Sequence, residues 1–283
     1  FWPCAMDFKY KDVKAMSEGQ IDVCLFNGAI RSTENEEMAH LLRQKAKVLV
    51  AFGSCAHEGC IPGLANLFSR QSIFERVYLE TPSTDNPQGV LPQTTYRLPE
   101  GEVHIPKLYN TVKTLDQVTE VDYYVPGCPP QAPQIWSVVE AILGSNLPPK
   151  GSVVGATEKT VCDECKHVRE EKRIPRFYRP HEIVPDPERC LLDQGIICAG
   201  PATRGGCGAL CPSVNMPCRG CYGPPPNVID QGAALLSAVA SVVDADTEEE
   251  AARIVGAIVD PVGTFYRFGL PASQLHRARV AER

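Results

Sequence analysis

The chain lacks any stretch approaching the roughly 18 apolar residues that a bilayer-spanning helix needs. Its most apolar segment, 232–243, is Ala-rich and too short. It also lacks a basic excess: 28 Lys and Arg stand against 34 Asp and Glu, for a net charge of −6. That excludes the basic face of a nucleic-acid binder. There is no P-loop, no dinucleotide fingerprint and no Ser/His/Asp set, and Gly205, Gly206 and Gly208 are too loosely placed to cradle a nucleotide. No signal peptide and no internal repeat is visible. The chain opens at Phe1 rather than Met, in what reads as mid-strand, so a leading segment is expected upstream.

Cysteine is what the chain has in excess. There are thirteen, and eight fall within residues 162–221. An odd count fits a closed disulfide framework poorly. With 283 residues and 43% apolar content, the chain can bury a large core and needs no covalent staples. Clustered thiols in such a chain point to metal. The eight are Cys162, Cys165, Cys190, Cys198, Cys207, Cys211, Cys218 and Cys221. They make two sets of four, the ligand count of a 4Fe–4S centre. Two structural zinc knots would use the same thiols. Zinc ribbons, however, pair two CxxC units about 15–20 residues apart. Here the two CxxC units are far more widely separated, with single cysteines between, which favours clusters. Gly and Pro around the cysteines permit tight turns that aim backbone amides at sulfur.

The first half reads as strands alternating with helices. Residues 21–30 and 47–53 are apolar runs of buried-strand type, and 121–125 is a third. Helices are expected over 33–46, with Ser32 or Thr33 as cap, and over 133–144, with Pro133 in its first turn. Continuous apolar strands with intervening helices predict an α/β fold with a parallel sheet. Ligands of such sheets bind beyond the strands' carboxyl ends. Cys55 and Cys128 both stand there, on one rim. Cys60 reads as a loop residue near that site, and Cys4 and Cys24 as small buried apolar residues. His57 reads as a loop histidine. Arg204 and Arg219 could pair with cluster charge or contact a partner. Residues 81–105 read as a surface excursion, and 163–179 as a solvated or partner-facing basic loop. A domain boundary is placed near 150, giving domains 1–150 and 151–283. Two further helices are expected near 228–242 and 247–258, the second opening on Thr247 and Glu250 at capping-box spacing.

The segments Val50-Ala51-Phe52-Gly53-Ser54-Cys55-Ala56 and Pro126-Gly127-Cys128-Pro129-Pro130 resemble the small subunit of nickel–iron hydrogenases. They are similar, too, to the small cluster-binding subunit of respiratory complex I, which lacks a cysteine-rich second half. Residues 1–16, 26–31 and 211–224 look like the cytoplasmic, methyl-viologen-reducing, deazaflavin-non-reducing class, whose small subunit is called gamma. The resemblance spans essentially the whole chain. It implies a flavodoxin-like domain followed by an irregular cysteine-rich iron–sulfur domain. It implies three 4Fe–4S clusters: a proximal one on Cys55 and Cys128, completed by an upstream CxxC; a medial one on Cys207, Cys211, Cys218 and Cys221; and a distal one on Cys162, Cys165, Cys190 and Cys198. Cys60 stands where this family usually has glycine. The implied partners are a nickel–iron large subunit that splits hydrogen, a small iron–sulfur electron-accepting subunit and a heterodisulfide-reductase-type flavoprotein complex serving methanogenesis. The implied location is cytoplasmic, and no catalytic residue lies in this chain. Two alternatives are a complex I-like electron-transfer subunit without hydrogenase activity and a structural zinc-binding module.

Overall fold

The structure, a computed structural model, describes residues 7–170 and 173–276. Cys4 lies outside the described residues. A short helix, α1 (Tyr10–Ala15), leads into β1 (Ile21–Phe26), β2 (Ile30–Ser32), α2 (Thr33–Lys45) and β3 (Ala46–Phe52). Next come α3 (Ser54–Glu58) and α4 (Arg70–Glu75), the strands β4 (Thr95–Leu98), β5 (Gly101–His104), β6 (Leu108–Lys113) and β7 (Tyr123–Val125), and α5 (Ala132–Leu143). The expected parallel sheet is present, in the order β1–β3–β7. Val23 faces Val48 in the first pair, and Phe52 faces Val125 in the second. Leu49, Val50 and Ala51 are buried, because helices cover the middle strand and leave it no solvent face. Residues 152–154 extend the sheet by pairing with Tyr124.

Ser32 caps α2. Its Oγ accepts from Asn35 N at 3.3 Å, while Asn35 Oδ1 accepts from Ser32 N at 3.1 Å. Residues 81–105 are mostly exposed, as the sequence suggests, but they also carry the β4–β5 hairpin, which the sequence pattern does not show. The strands β2 and β6 form a separate antiparallel ribbon. Neither pair is visible in the sequence, because short strands with mixed polarity give no period-two signal.

After α5 the chain is held mainly by turns. Its short helices are α6 (Val161–Glu164) and α7 (Leu210–Ser213), followed by α8 (Gln231–Ala240), α9 (Glu248–Gly256) and α10 (Pro261–Phe265). A core of its own runs through Val161, Ile174, Leu191, Ile196, Leu235, Val239, Ile254 and Phe265, and five of the cysteines pack into or against it. Thr247 caps α9, its Oγ accepting from Glu250 N. The return arm of the expected capping box goes elsewhere: Glu250 Oε2 accepts from Asp246 N at 3.0 Å. No helix among the described residues is long and apolar enough to cross a membrane.

One buried charge fixes the sheet's middle strand. Asp122, with its side chain 1% exposed, accepts from Arg43 Nη1 at 2.6 Å, Lys150 Nζ at 2.5 Å and the Leu49 amide at 2.8 Å. Burial alone would raise its pKa. The Arg43, Lys150 and Leu49 bonds overcome that and hold it below the usual carboxylate range. Its charge therefore stabilises the fold above the unfolded-state pKa of about 3.9. That contribution is lost as pH falls through the lower folded value. Asp122→Ala, which also strands the buried Leu49 amide, is expected to cost about 2–3 kcal/mol near neutral pH. Denaturant unfolding checks this, and the gap to the parent should narrow in acid.

Candidate functional site

The rim of the sheet is built by two loops that hydrogen-bond to each other. Gly53 N donates to Val125 O at 2.7 Å, Ser54 N to Gly127 O at 2.8 Å, and Gly127 N to Ser54 Oγ at 3.3 Å. Gly127 has φ +125°, and a Cβ there would meet Pro130 Cα at 2.6 Å. Only glycine fits this turn. The arrangement delivers Cys55, at the start of α3, and Cys128 to one place. Cys60 joins them. Its thiol donates to Cys128 Sγ at 3.6 Å, and Cys55 shares a side-chain hydrogen bond with it. That bond brings the Cys55 pKa down to about 7 against the effect of burial. Cys60 is correspondingly pushed up, by the same bond and then by burial. The rim is thus a three-thiol group, with Cys60 buried and Cys128 exposed.

A second group lies directly beside it. Burial pushes Cys221 up to about 12, opposed by the Cys128 amide donating to its sulfur; Cys207 and Cys211 are close enough to act on it as charges. Ser54 Oγ also donates to Cys221 O. Burial raises Cys207, and the Leu210 and Ala209 amides offset part of this. Cys218 is raised by burial and feels both Cys198 and Cys221.

The third group surrounds a small apolar cavity walled by Cys162, Cys165, Cys190 and Cys198. Cys198 accepts from Cys218 N at 3.2 Å, which ties this group to the second. Burial raises Cys198, and the Gly200 and Cys218 amides oppose the rise. Gly200 is placed for close approach: a Cβ there would lie 2.9 Å from Cys162 Sγ and 3.6 Å from Cys198 Sγ.

The ten cysteines expected at sites therefore fall into three adjoining groups, joined at Cys128–Cys221 and at Cys218–Cys198. Cys24 stands apart, packed against the α/β core, its thiol raised by burial to about 11.

The thiol groups fit an iron–sulfur centre in two respects. Backbone amides point at sulfur in every group of the second half, as anionic cluster thiolates require. The four thiols of the third group line a gap between them. Among the described residues, no three His, Cys, Asp or Glu side chains converge tightly enough to hold a single metal ion.

Several contributors are not apparent from the sequence. Glu164, inside the first CxxC turn, accepts from Gly206 N at 2.6 Å and Gly208 N at 2.9 Å. It thereby holds the Cys207 loop against the Cys162 turn. His167 and Arg169 line the third cavity, and Arg169 Nη2 donates to Cys162 O. A basic run directly after a CxxC pair is the signal for them. His57 is no open loop residue. It is turned inward against the Tyr124 ring at 4.7 Å, and burial lowers its pKa to about 4. Next to it, Glu58 is buried near Gly223, and burial raises it to about 8, with Arg204 opposing.

Comparison with known proteins agrees with this architecture. Residues 3–142 match the family model described as NADH ubiquinone oxidoreductase, 20 Kd subunit, a flavodoxin-like fold. Over 283 aligned positions the chain is 44% identical to the iron–sulfur subunit of the F420-non-reducing hydrogenase of Archaeoglobus profundus, covering 98% of this chain and 87% of that one. It is 38% identical over 278 positions to the corresponding F420-non-reducing hydrogenase subunit of Methanothermobacter marburgensis, covering 96% and 84%. A more distant relative, the delta subunit of Sulfhydrogenase 2 of Pyrococcus furiosus, is 29% identical over 208 positions, covering 74% and 68%. The chain belongs to the family of F420-non-reducing hydrogenase iron–sulfur subunits.

Gly200→Ala should lower the iron bound per chain after anaerobic purification, because the added methyl intrudes on Cys162. Gly256→Ala, where nothing lies within 4 Å of a Cβ, should leave it unchanged. Equal iron in both variants would contradict the placement of the third group.

Proposed function

We propose that this chain is the electron-transfer subunit of a nickel–iron hydrogenase of the methyl-viologen-reducing class. The observation that carries the reading is the order of the thiols. The rim group adjoins the second group at Cys128–Cys221, and the second adjoins the third at Cys218–Cys198. Cys162, Cys165, Cys190 and Cys198 would hold one 4Fe–4S centre, and Cys207, Cys211, Cys218 and Cys221 another. Cys55 and Cys128 would hold part of a third. Bound there, such centres take up and release single electrons with no acid–base group.

The protein's own contribution is positional and electrostatic. Amide N–H groups directed at Cys198, Cys207, Cys218 and Cys221 favour the anionic thiolate form, and the surrounding apolar core keeps water away. Exposed Cys128 puts the rim group within reach of a partner. Hydrogen would be split in a large subunit, and the electrons would leave from the third group. The acceptor would be a small iron–sulfur subunit of a cytoplasmic heterodisulfide-reductase-type complex. The α/β part to about residue 150 and the cysteine-rich remainder would be separate domains.

Electron paramagnetic resonance of the anaerobic native complex tests this. Hydrogen and dithionite should both reduce the second-half centres in the parent. In Cys128→Ser, hydrogen should reduce them at least tenfold more slowly while dithionite still does. A parent complex that ignores hydrogen, or a variant that responds to it like the parent, would contradict the reading.

A further inference from the structure

One cavity carries an unbalanced charge that electron transfer does not use. It lies between the segment 177–180, residues 196–197 and the helix α10, with a volume of about 220 Å3. Arg179, Arg219 and Arg267 all line it. Phe177, Ile196 and Ile258 supply apolar walls.

The positive groups there are poorly answered. Among the described residues, Arg267 donates only to the Gly263 carbonyl, at 3.0 Å. The Arg219 guanidinium makes no hydrogen bond to them. It is half-buried, with Arg267 near enough to repel it. The one acid lining the cavity is Asp260, whose Oδ1 already accepts from Gly263 N at 2.9 Å. Glu182 is near Arg179, but its Oε1 takes Arg176 and its Oε2 takes the Arg179 amide. Three guanidinium groups facing one cavity against a single carboxylate leave positive charge over, which an entering anion would answer.

We propose that the cavity lined by Arg179, Arg219 and Arg267 is a binding site for a single oxyanion group. Guanidinium forks match carboxylate and phosphate geometry. The volume suits one such group with its water, and falls short of the roughly 300–1,000 Å3 of pockets for larger organic ligands. The oxyanion has two available sources: a free phosphate-type anion, or a carboxylate side chain of a subunit docked on this face. Ile196 and Ile197 line this cavity, and the next residue, Cys198, lines the third thiol group. A docked carboxylate would therefore register a partner beside that group.

Calorimetric titration of inorganic phosphate at low salt tests the proposal, in the full-length chain and in the intact complex. The chain should bind one phosphate saturably, with a dissociation constant of about 1 mM or lower. Arg267→Gln should weaken binding about tenfold or more, and Arg267→Lys by less. Circular dichroism matching the parent certifies that the variants fold. If the complex also binds phosphate, the site serves a free anion. If binding is lost only in the complex, the site is filled by a partner's carboxylate. No saturable binding to the chain, or equal binding by parent and Arg267→Gln, would overturn the proposal.

Discussion

Everything in the second half depends on keeping thiol sulfur inside a low-dielectric shell. Burial is the largest influence on Cys198, Cys207, Cys218 and Cys221, and in each case it resists the charged form. Backbone amides return part of that cost, but the thiols remain raised. A group of neutral thiols packed this way makes weak hydrogen bonds and little else. Iron in a cluster resolves the conflict, since it binds thiolate and brings positive charge into the group. The fold can be read as an apparatus for tolerating that chemistry: tight turns for sulfur approach, amides for charge, an apolar core for dryness.

The α/β half supplies rigidity where the irregular half cannot. Its middle strand is fixed by burial on both faces and by Asp122. Its rim loops are cross-bonded through Gly53, Ser54 and Gly127. Ser54 reaches across to the Cys221 carbonyl, so the rim and the second thiol group share one scaffold. Glu164 does the same between the Cys162 turn and the Cys207 loop. These polar links hold adjacent thiol groups in order, although the chain between them is mostly turn.

Much of this was legible in the sequence because its signals are strong. The strands at 21–30 and 47–53 are long apolar runs, and the loops that follow the sheet strands carry Cys55 and the Pro-Gly-Cys-Pro turn. The three-way grouping of cysteines followed from counts of four and from the family resemblance. The β4–β5 hairpin was not legible, since its strands are only four residues long and bury no face. The inward His57 and Glu58 were hidden because α3 is only five residues long and reads as a loop. Cys60 looked like a bystander because spacing along the chain cannot show that the Cys128 loop folds over it. The arginines of the anion cavity lie at 179, 219 and 267, so only the fold assembles them.

Electron transfer through this chain is tested most directly by the iron, acid-labile sulfide and zinc content of the anaerobically purified native complex, normalised to this chain after subtraction of its partners' centres. At least about eight iron with equal sulfide are expected, rising to about twelve if the rim group is completed. About two zinc per chain with no sulfide would contradict it, because the thiols would then be structural and no electron could pass through them.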